Sequence, residues 1–302
     1  MKKFILKVLL FFACVVVMDF VFDQFFSYLR IHAKGGSTAN CEYIANRASE
    51  DIIILGSSRA AHHYVPQIIE DSLGLSCYNC GEEGNGVVLA YGRLKMLINR
   101  YKPKLVIYEV TPGYDYEKTE PNSKYLGYLR QYYNKDGISE IFEDFDDSWY
   151  WLKMKSKMYQ NTGRILPNCL DNIVYRDNRK GYDALYGHMN KSAMLDSKKT
   201  DIRVEIDSLK LSYYDKFLAL CQTKGITVLF FISPRYTAED NIDIYEPAVN
   251  RCKLHSVPLL NFSCCPSISN NIVFFQDKGH MNDEGATEYT KMVVNYIKRY
   301  IK

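Results

Sequence analysis

The chain has 302 residues, which is enough for one large domain or two small ones, with 47% hydrophobic and 24% charged residues. This balance is typical of a globular protein and excludes a disordered or fibrous chain. The formal net charge of +3 is small and no dense basic cluster accompanies it, so we expect no nucleic-acid partner.

Residues 1–26 predict an N-terminal transmembrane anchor. Lys2, Lys3 and Lys7 mark the start of an apolar run over residues 4–22. As a helix, this run would be about 28 Å long, close to the roughly 30 Å hydrocarbon core of a bilayer. The lysines favour a cytoplasmic amino terminus, so we expect a single-pass protein of the bacterial inner membrane with the remaining residues on the periplasmic side.

Two features of this segment bear on the anchor. Asp19 interrupts the apolar run, but it lies near the far end, where headgroups and water are close. A cleaved signal peptide is the alternative interpretation. The residues that follow the run are bulky and offer no small-x-small cleavage site, which favours an uncleaved helix.

Residues 27–50 are polar and predict a tether, and residues 51–302 then alternate between apolar strands and amphipathic helices. This alternation predicts a flavodoxin-like three-layer α/β/α fold with a parallel sheet of about five strands. The predicted strands cover residues 51–56, 75–81, 104–110, 226–232 and 257–262.

A long segment interrupts the alternation after the third strand. Residues 113–203, approximately, are rich in Tyr, Asp and Asn and contain Trp149 and Trp151. We interpret this segment as a mostly helical insertion or lid. We expect its aromatic side chains to pack within the lid, and stacking on sugar rings is the alternative.

Ser58, Asp277 and His280 are candidate catalytic residues. Ligands of open parallel sheets bind beyond the carboxyl ends of the strands, and Ser58 follows the first strand in Gly56-Ser57-Ser58. An aspartate three residues before a histidine could hold one imidazole nitrogen and leave the other facing a serine nucleophile, which is inert without such a base. A helix cap is the alternative role for Ser58.

These segments resemble the SGNH, or GDSL-like, hydrolase superfamily over residues 51–112 and 226–300. The Gly-Asp-Ser block of that family corresponds to residues 56–58, with serine in place of aspartate, as in members that act on cell-envelope polymers. The resemblance implies that Ser58 is the nucleophile, that Asp277 and His280 complete the triad, and that no metal or organic cofactor is required. The second block corresponds to Asn79 to Gly84 and implies that the Gly84 amide contributes to the oxyanion hole.

The third block of the family departs from its pattern here. The family places an asparagine after the third strand, whereas this chain has Thr111 and Pro112. Loss of an oxyanion donor typically costs about 10²–10³ in rate. The candidates to replace it are Thr111, Asn85 and Arg59, unless the amides of Ser58 and Gly84 suffice.

Four further side chains near the same sheet edge have open roles. Arg59 and Arg235 are candidates to bind an anionic group of the substrate, although a solvated or salt-bridged arginine is the alternative for Arg59. His62 and His63 have no partners at metal-ligand spacing, so we expect surface or core histidines and no metal site.

Two functions are compatible with these residues. The first is a membrane-anchored serine esterase or O-acyltransferase that acts on acylated cell-envelope carbohydrate or another ester. The second is a catalytically weak or inactive glycan-binding or assembly partner that retains the fold, and the missing third-block asparagine is its main support.

Overall fold

A computed structural model describes residues 1–118, 126–145, 149–189, 205–236 and 242–301. The chain divides into two units, which are described separately. The first comprises Met1–Arg47 and Asn122–Asp177, and the second comprises Ala48–Pro121 and Asn178–Lys302.

The second unit is built on a parallel sheet with the strand order β2-β1-β3-β4-β5. The strands are β1 (Ile52–Gly56), β2 (Cys77–Asn79), β3 (Leu105–Glu109), β4 (Thr227–Ile232) and β5 (Leu259–Asn261). Every residue of β1 and β3 is buried, because helices cover both faces of the sheet. The predicted α/β fold, with five parallel strands in a flavodoxin-like order, is confirmed.

The α-helices alternate with these strands and fill the inserted segment. In chain order they are α1 (Lys2–Ile31), α2 (Gly36–Asn46), α3 (Ser58–His63), α4 (Pro66–Leu73), α5 (Val87–Ile98), α6 (Pro112–Asp115), α7 (Gly127–Arg130), α8 (Ser139–Glu143), α9 (Tyr150–Lys153), α10 (Lys157–Asn161), α11 (Ile165–Ile173), α12 (Ser208–Lys224), α13 (Glu246–Leu254), α14 (Pro266–Ser269) and α15 (Asp283–Ile297). Single 3₁₀ turns occur at Arg179–Gly181, Ile242–Tyr245 and Ile272–Phe274.

The core beside the site lies between the sheet and the last helix. Side chains of β1, β3 and β4 pack there against the inner face of α15, on which Tyr289, Val293 and Ile297 are fully buried. Asn282 caps α15 by accepting a hydrogen bond from the Gly285 amide at 3.0 Å. The cap fixes where the helix begins and therefore where the preceding loop, which contains His280, leaves the core.

The first unit combines α1, α2 and the inserted helices α7 to α11. Helix α1 is long and apolar enough to cross a membrane, with a mean hydropathy of 2.6 over its most apolar window, none of which is buried. Residues 27–50, interpreted as a tether, contain the end of α1 and all of α2. Asp171 of α11 accepts a hydrogen bond from the Thr38 amide at 2.9 Å, which holds α2 against the inserted helices.

The inserted segment contains the short helices α7 to α11, and residues 119–125, 146–148 and 190–204 lie outside the described part. The expectation that its two tryptophans pack inside a lid is wrong. Trp149 is 62% exposed and Trp151 is 59% exposed, whereas Tyr150 between them is buried. On a single helical turn only one of these three neighbours can point inward, and Tyr150 takes that position.

Candidate active site

The candidate active site begins at the turn between β1 and α3. Gly56 ends β1 with φ at +142°, and a Cβ at this position would lie 2.7 Å from the Glu109 carbonyl oxygen. Only glycine therefore allows β1 to end so close to β3 and to turn into α3. The turn places Ser58 at the first position of α3, at the carboxyl edge of the sheet.

His280 and Asp277 occupy the loop that precedes α15. The Asp277 carboxylate accepts hydrogen bonds from the amides of Gly279 at 2.7 Å and His280 at 2.9 Å. It also lies 2.9 Å from Nδ1 of the His280 ring. Partial burial raises the pKa of Asp277, but these hydrogen bonds outweigh it and hold the pKa below its ordinary value.

The structure brings the three predicted catalytic side chains together. The Ser58 hydroxyl oxygen lies 2.8 Å from Nε2 of His280, and Asp277 lies on the opposite side of the ring. An ionised carboxylate only accepts hydrogen bonds, so Nδ1 of the neutral ring carries the proton. Nε2 is then an acceptor, and the Ser58 hydroxyl donates to it. This arrangement can transfer the serine proton to the imidazole.

His63 lies in the core and binds Met281, the residue that follows His280 in this loop. Its Nε2 accepts a hydrogen bond from the Met281 amide at 3.0 Å, so its Nδ1 carries the proton and donates to Ser233 Oγ at 2.7 Å. Ser233 Oγ in turn donates to Glu109 Oε1 at 2.6 Å. Burial, together with the nearby charge of Arg59, lowers the pKa of His63 well below its ordinary value, so the ring stays neutral.

Arg59 belongs to this buried network. Its guanidinium lies 3.3 Å from Glu109 Oε1 and donates to Ser233 Oγ at 2.9 Å, and only 5% of the residue is exposed. The structure therefore does not bring Arg59 to the surface where a substrate would bind. Of its two predicted roles, the salt-bridged one agrees with this position, because the buried guanidinium already faces the carboxylate of Glu109. The Tyr64 hydroxyl also donates to Glu109.

Two backbone amides remain candidates to stabilise a developing oxyanion. Ser58 begins α3, and the first amides of a helix have no partner within it. Gly84 lies in the loop after β2 with φ at +65°, and the amide of Glu82 in that loop donates to the Gly56 carbonyl at 3.2 Å, which ties the loop to the end of β1. Neither the Ser58 amide nor the Gly84 amide has an acceptor within the described ranges.

Thr111 lies beside the turn between β1 and α3. Its hydroxyl accepts a hydrogen bond from Ser57 Oγ at 2.7 Å, and its own proton has no acceptor in the described part of the chain. The Thr111 amide donates to Asp115 at 2.6 Å. Burial raises the pKa of Asp115 to about 7, although hydrogen bonds from Tyr108, the Thr111 amide and Tyr214 oppose the rise. Asp115 thus fixes the backbone of Thr111.

Asn85 has a different environment. Its side-chain nitrogen donates to the Glu83 carbonyl at 2.9 Å, whereas its Oδ1 is buried and has no partner in the described structure. One amide hydrogen of Asn85 is therefore already used within its own loop. Of the three predicted replacements for the missing asparagine, Arg59 is paired with Glu109, whereas Thr111 has a hydroxyl proton without an acceptor in the described residues.

Arg235 is exposed and follows β4 at the same edge of the sheet. The amide of its neighbour Tyr236 donates to the carbonyl of Lys278 at 3.2 Å, so Arg235 lies next to the loop that carries Asp277 and His280. The charge of Arg235 also acts on Glu117, where it opposes the rise in pKa that burial causes. Arg235 therefore remains a candidate to contact an anionic group.

His62 forms a separate polar cluster beside the site, and its sequence context indicated no role for it. Its Nδ1 donates to the Asp183 carbonyl at 2.6 Å and its Nε2 faces Glu83 at 2.8 Å, while its ring packs edge-on against His280 at 5.8 Å. Burial lowers the pKa of His62, but the contacts with Glu83 and Asp183 outweigh it and raise the pKa overall. The ligand atoms of His62, Glu83 and Asp183 lie within 4.8 Å of one another, a spacing at which they could share a cation.

No protein-family model and no curated protein sequence matches the chain. Solved structures of similar fold include a protein of Bacteroides fragilis described as an acylhydrolase, with 10% identity, a TM-score of 0.45, and 88% of this chain and 98% of that chain covered. A lipolytic protein of the G-D-S-L family from Desulfitobacterium hafniense has 11% identity, a TM-score of 0.40, and coverage of 81% and 98%. An acetyl xylan esterase from Butyrivibrio proteoclasticus has 9% identity, a TM-score of 0.38, and coverage of 84% and 64%. At these values the function has to be argued from the site itself.

Proposed function

We infer that the chain is an SGNH-type serine esterase or O-acyltransferase that acts on acylated cell-envelope carbohydrate. The observation that carries this proposal is the contact of 2.8 Å between Ser58 Oγ and His280 Nε2, with Asp277 on the other ring nitrogen. A serine hydroxyl needs a general base within about 2.6–3.2 Å, and this site provides one whose tautomer is fixed.

The reaction proceeds through an acyl-enzyme. Ser58 Oγ attacks the ester carbonyl while its proton passes to Nε2 of His280, and the carboxylate of Asp277 stabilises the resulting imidazolium. The tetrahedral oxyanion accepts hydrogen bonds from the amides of Ser58 and Gly84. The intermediate collapses when the carbon–oxygen bond of the leaving alcohol breaks and His280 returns the proton to that oxygen.

The second half of the reaction decides between hydrolysis and transfer. His280 removes a proton from water or from a carbohydrate hydroxyl, whose oxygen attacks the acyl group on Ser58. The bond to Ser58 then breaks, and the serine recovers its proton from His280. The oxyanion donors stabilise both routes alike, so the product ratio depends on how well the site holds a sugar hydroxyl against the acyl group in competition with water.

A location on the outer side of the inner membrane would bring the site to cell-envelope carbohydrate. We infer that α1 anchors the chain in a bacterial inner membrane with its amino terminus in the cytoplasm, because lysines precede an apolar helix whose most apolar window is fully exposed. An alkaline phosphatase fusion after the last residue is expected to be active. Activity confined to a cytoplasmic reporter at that position would contradict this orientation.

Turnover of an aryl acetate by the full-length protein tests the chemistry. Ser58→Ala is expected to lower kcat by about 10⁴-fold or more, since removal of a triad member leaves only binding and oxyanion stabilisation. Ser57→Ala is the matched control: it keeps the triad but removes the donor to Thr111, so a loss of kcat much smaller than that of Ser58→Ala is expected. Equal turnover in wild type and Ser58→Ala would reject the enzyme and favour a non-catalytic glycan-binding or assembly protein.

Adding soluble oligosaccharides to the same assay separates transfer from hydrolysis. A transferase yields acylated sugar at the expense of free acetate, at an unchanged total rate when acyl-enzyme formation limits turnover. If only free acetate forms at every sugar concentration, the protein is an esterase.

A further inference from the structure

Asp19 makes an unusual contact for an acidic residue in an apolar helix. Its carboxylate accepts three hydrogen bonds from the start of α10, from Ser156 Oγ at 2.6 Å, the Lys157 amide at 2.7 Å and the Met158 amide at 2.9 Å. A carboxylate near hydrocarbon is costly unless such partners satisfy it. The start of α10 therefore lies at the same depth along α1 as Asp19.

The surface of α1 changes character at this residue. Side chains of residues 1–18 are exposed along the whole length, whereas Phe26 and Leu29 further on are buried against the inserted helices. A helix needs about 20 residues to cross the hydrocarbon core, and if the core begins at Phe4 the crossing ends at Asp23. Asp19 then lies about 6 Å inside the outer boundary of the core, so the start of α10 reaches through the headgroup region to the edge of the acyl chains.

The chain that leads into α10 carries side chains suited to that interface. In residues 149–158, which we call the interfacial segment, Trp149, Trp151, Leu152 and Met158 are 62%, 59%, 49% and 44% exposed. The same segment contains lysines at positions 153, 155 and 157. Tryptophan is enriched at the level of lipid headgroups, and lysine is attracted to anionic lipids.

Helix α11 buries polar side chains and exposes apolar ones, which is the reverse of a surface helix on a water-soluble protein. Its polar Asn168 and Asp171 are buried and bind Thr38 of α2, through Asn168 Oδ1 at 3.1 Å and Asp171 Oδ2 at 2.9 Å. Its apolar side chains point outward, with exposed fractions of 39%, 67%, 44% and 73% for Ile165, Leu166, Leu170 and Ile173. This distribution is expected when the surrounding medium is apolar and is unfavourable in water.

Two further hydrogen bonds fix these helices to α1. Arg30 donates to Asn161 Oδ1 at 2.6 Å, and the Asn172 side chain donates to the Leu29 carbonyl at 2.8 Å. Helices α10 and α11 thus run beside the second half of α1 and cannot leave the membrane surface independently of it.

We propose that the interfacial segment and α11 lie in the headgroup region of the leaflet at the carboxyl end of α1, with phospholipid covering their apolar side chains. The inserted helices then form a second membrane contact, in addition to the transmembrane helix. This inference rests on the membrane anchor under Proposed function, and it does not depend on the chemistry of Ser58.

Intrinsic fluorescence tests the proposal directly, because Trp149 and Trp151 are the two tryptophans of the chain. The full-length protein is reconstituted into vesicles of phosphatidylcholine and phosphatidylglycerol that carry doxyl groups at a shallow or a deep acyl position. Both tryptophans are expected to be quenched more strongly by the shallow label than by the deep one. Their quenching by aqueous iodide is expected to be several-fold weaker than that of free N-acetyltryptophanamide. Trp149→Tyr and Trp151→Tyr assign the two signals.

A matched variant separates this inference from the anchor. In the background without either native tryptophan, Phe12→Trp reports the middle of α1 and is expected to be quenched most by the deep label. If that signal behaves as expected but Trp149 and Trp151 are quenched by iodide and not by lipid labels, the anchor holds and the second contact is wrong. Shielding of both tryptophans from iodide and from lipid labels would indicate a protein partner and would also overturn the proposal. If the Phe12→Trp signal is not quenched most by the deep label, the membrane anchor is wrong, and the second membrane contact is wrong with it.

Discussion

His63 connects the buried network of Glu109 and Ser233 to the loop that carries His280, so its replacement tests whether that network positions the general base. His63→Leu keeps a side chain of suitable size and removes both ring nitrogens. The Met281 amide, 3.0 Å from Nε2 in the wild type, is then left buried without an acceptor. Such a group costs about 1–3 kcal/mol, and loss of the bond to Ser233 adds about 0.5–1.5 kcal/mol.

The expected result is a loss of about 1.5–4.5 kcal/mol in the free energy of unfolding, measured by urea titration. The kcat for an aryl acetate is expected to fall by about 10²-fold with little change in KM, because a shift of about 1 Å in a reacting group has an effect of this size. His63→Gln places an amide near the position of Nε2, can accept from Met281, and is expected to recover much of kcat. If His63→Leu retains the wild-type kcat and stability, the network does not position His280. If His63→Gln is as defective as His63→Leu, the hydrogen bond to Met281 is not the cause.

Replacing Thr111 by Val is expected to lower kcat by about 10²-fold at nearly constant KM, while Asn85→Ala has a smaller effect; equal kcat in both variants and wild type would exclude both as the substitute oxyanion donor. Asp277→Asn is expected to lower kcat by about 10⁴-fold, because an amide can stabilise the tautomer with the proton on Nε2, and an unchanged kcat would remove Asp277 from the triad. The folded-state pKa of Asp115 is about 7, raised from 3.8, so its contribution to stability is complete below pH 3.8 and is lost as the pH rises through 7. The free energy of unfolding of wild type relative to Asp115→Asn is therefore expected to fall between these pH values, by about 4 kcal/mol at most. A difference that stays constant with pH would contradict the raised pKa of the buried carboxyl.

The fold was predictable because the information is local. Strand β1 is an apolar run buried on both faces from Ile52 to Leu55, and such a run is visible without knowledge of its neighbours. The turn at Gly56 and the spacing of Asp277 and His280 are equally local. Their approach to Ser58 follows from the general rule that carboxyl ends of parallel strands meet at one edge.

The remainder of the site depends on pairs of residues that are distant in the sequence. His63 and Met281 are 218 positions apart, and Arg59 and Ser233 are 174 apart, so no pattern in the chain relates them. The adjacent His62 and His63 were visible as a motif, but only their surroundings distinguish a neutral core ring from one paired with Glu83.

Contacts within the first unit could not be predicted from the sequence for the same reason. Asp19 disturbed the apolar run, and its partners lie 137 to 139 positions away at the start of α10. The tryptophans were interpreted as lid residues because aromatic side chains are usually buried. Their exposure follows from Tyr150 taking the inward position.

Covalent labelling with a fluorophosphonate tests the central claim most directly, since the probe reacts with a serine only when a base activates it. Full-length protein is treated with the probe, and the adduct is located by peptide mass spectrometry. A single adduct on Ser58 in the wild type and in Ser57→Ala, and its loss in His280→Ala, is the predicted result. Absence of labelling in the wild type, or an adduct that persists in His280→Ala, would contradict a catalytic role for the contact between Ser58 and His280.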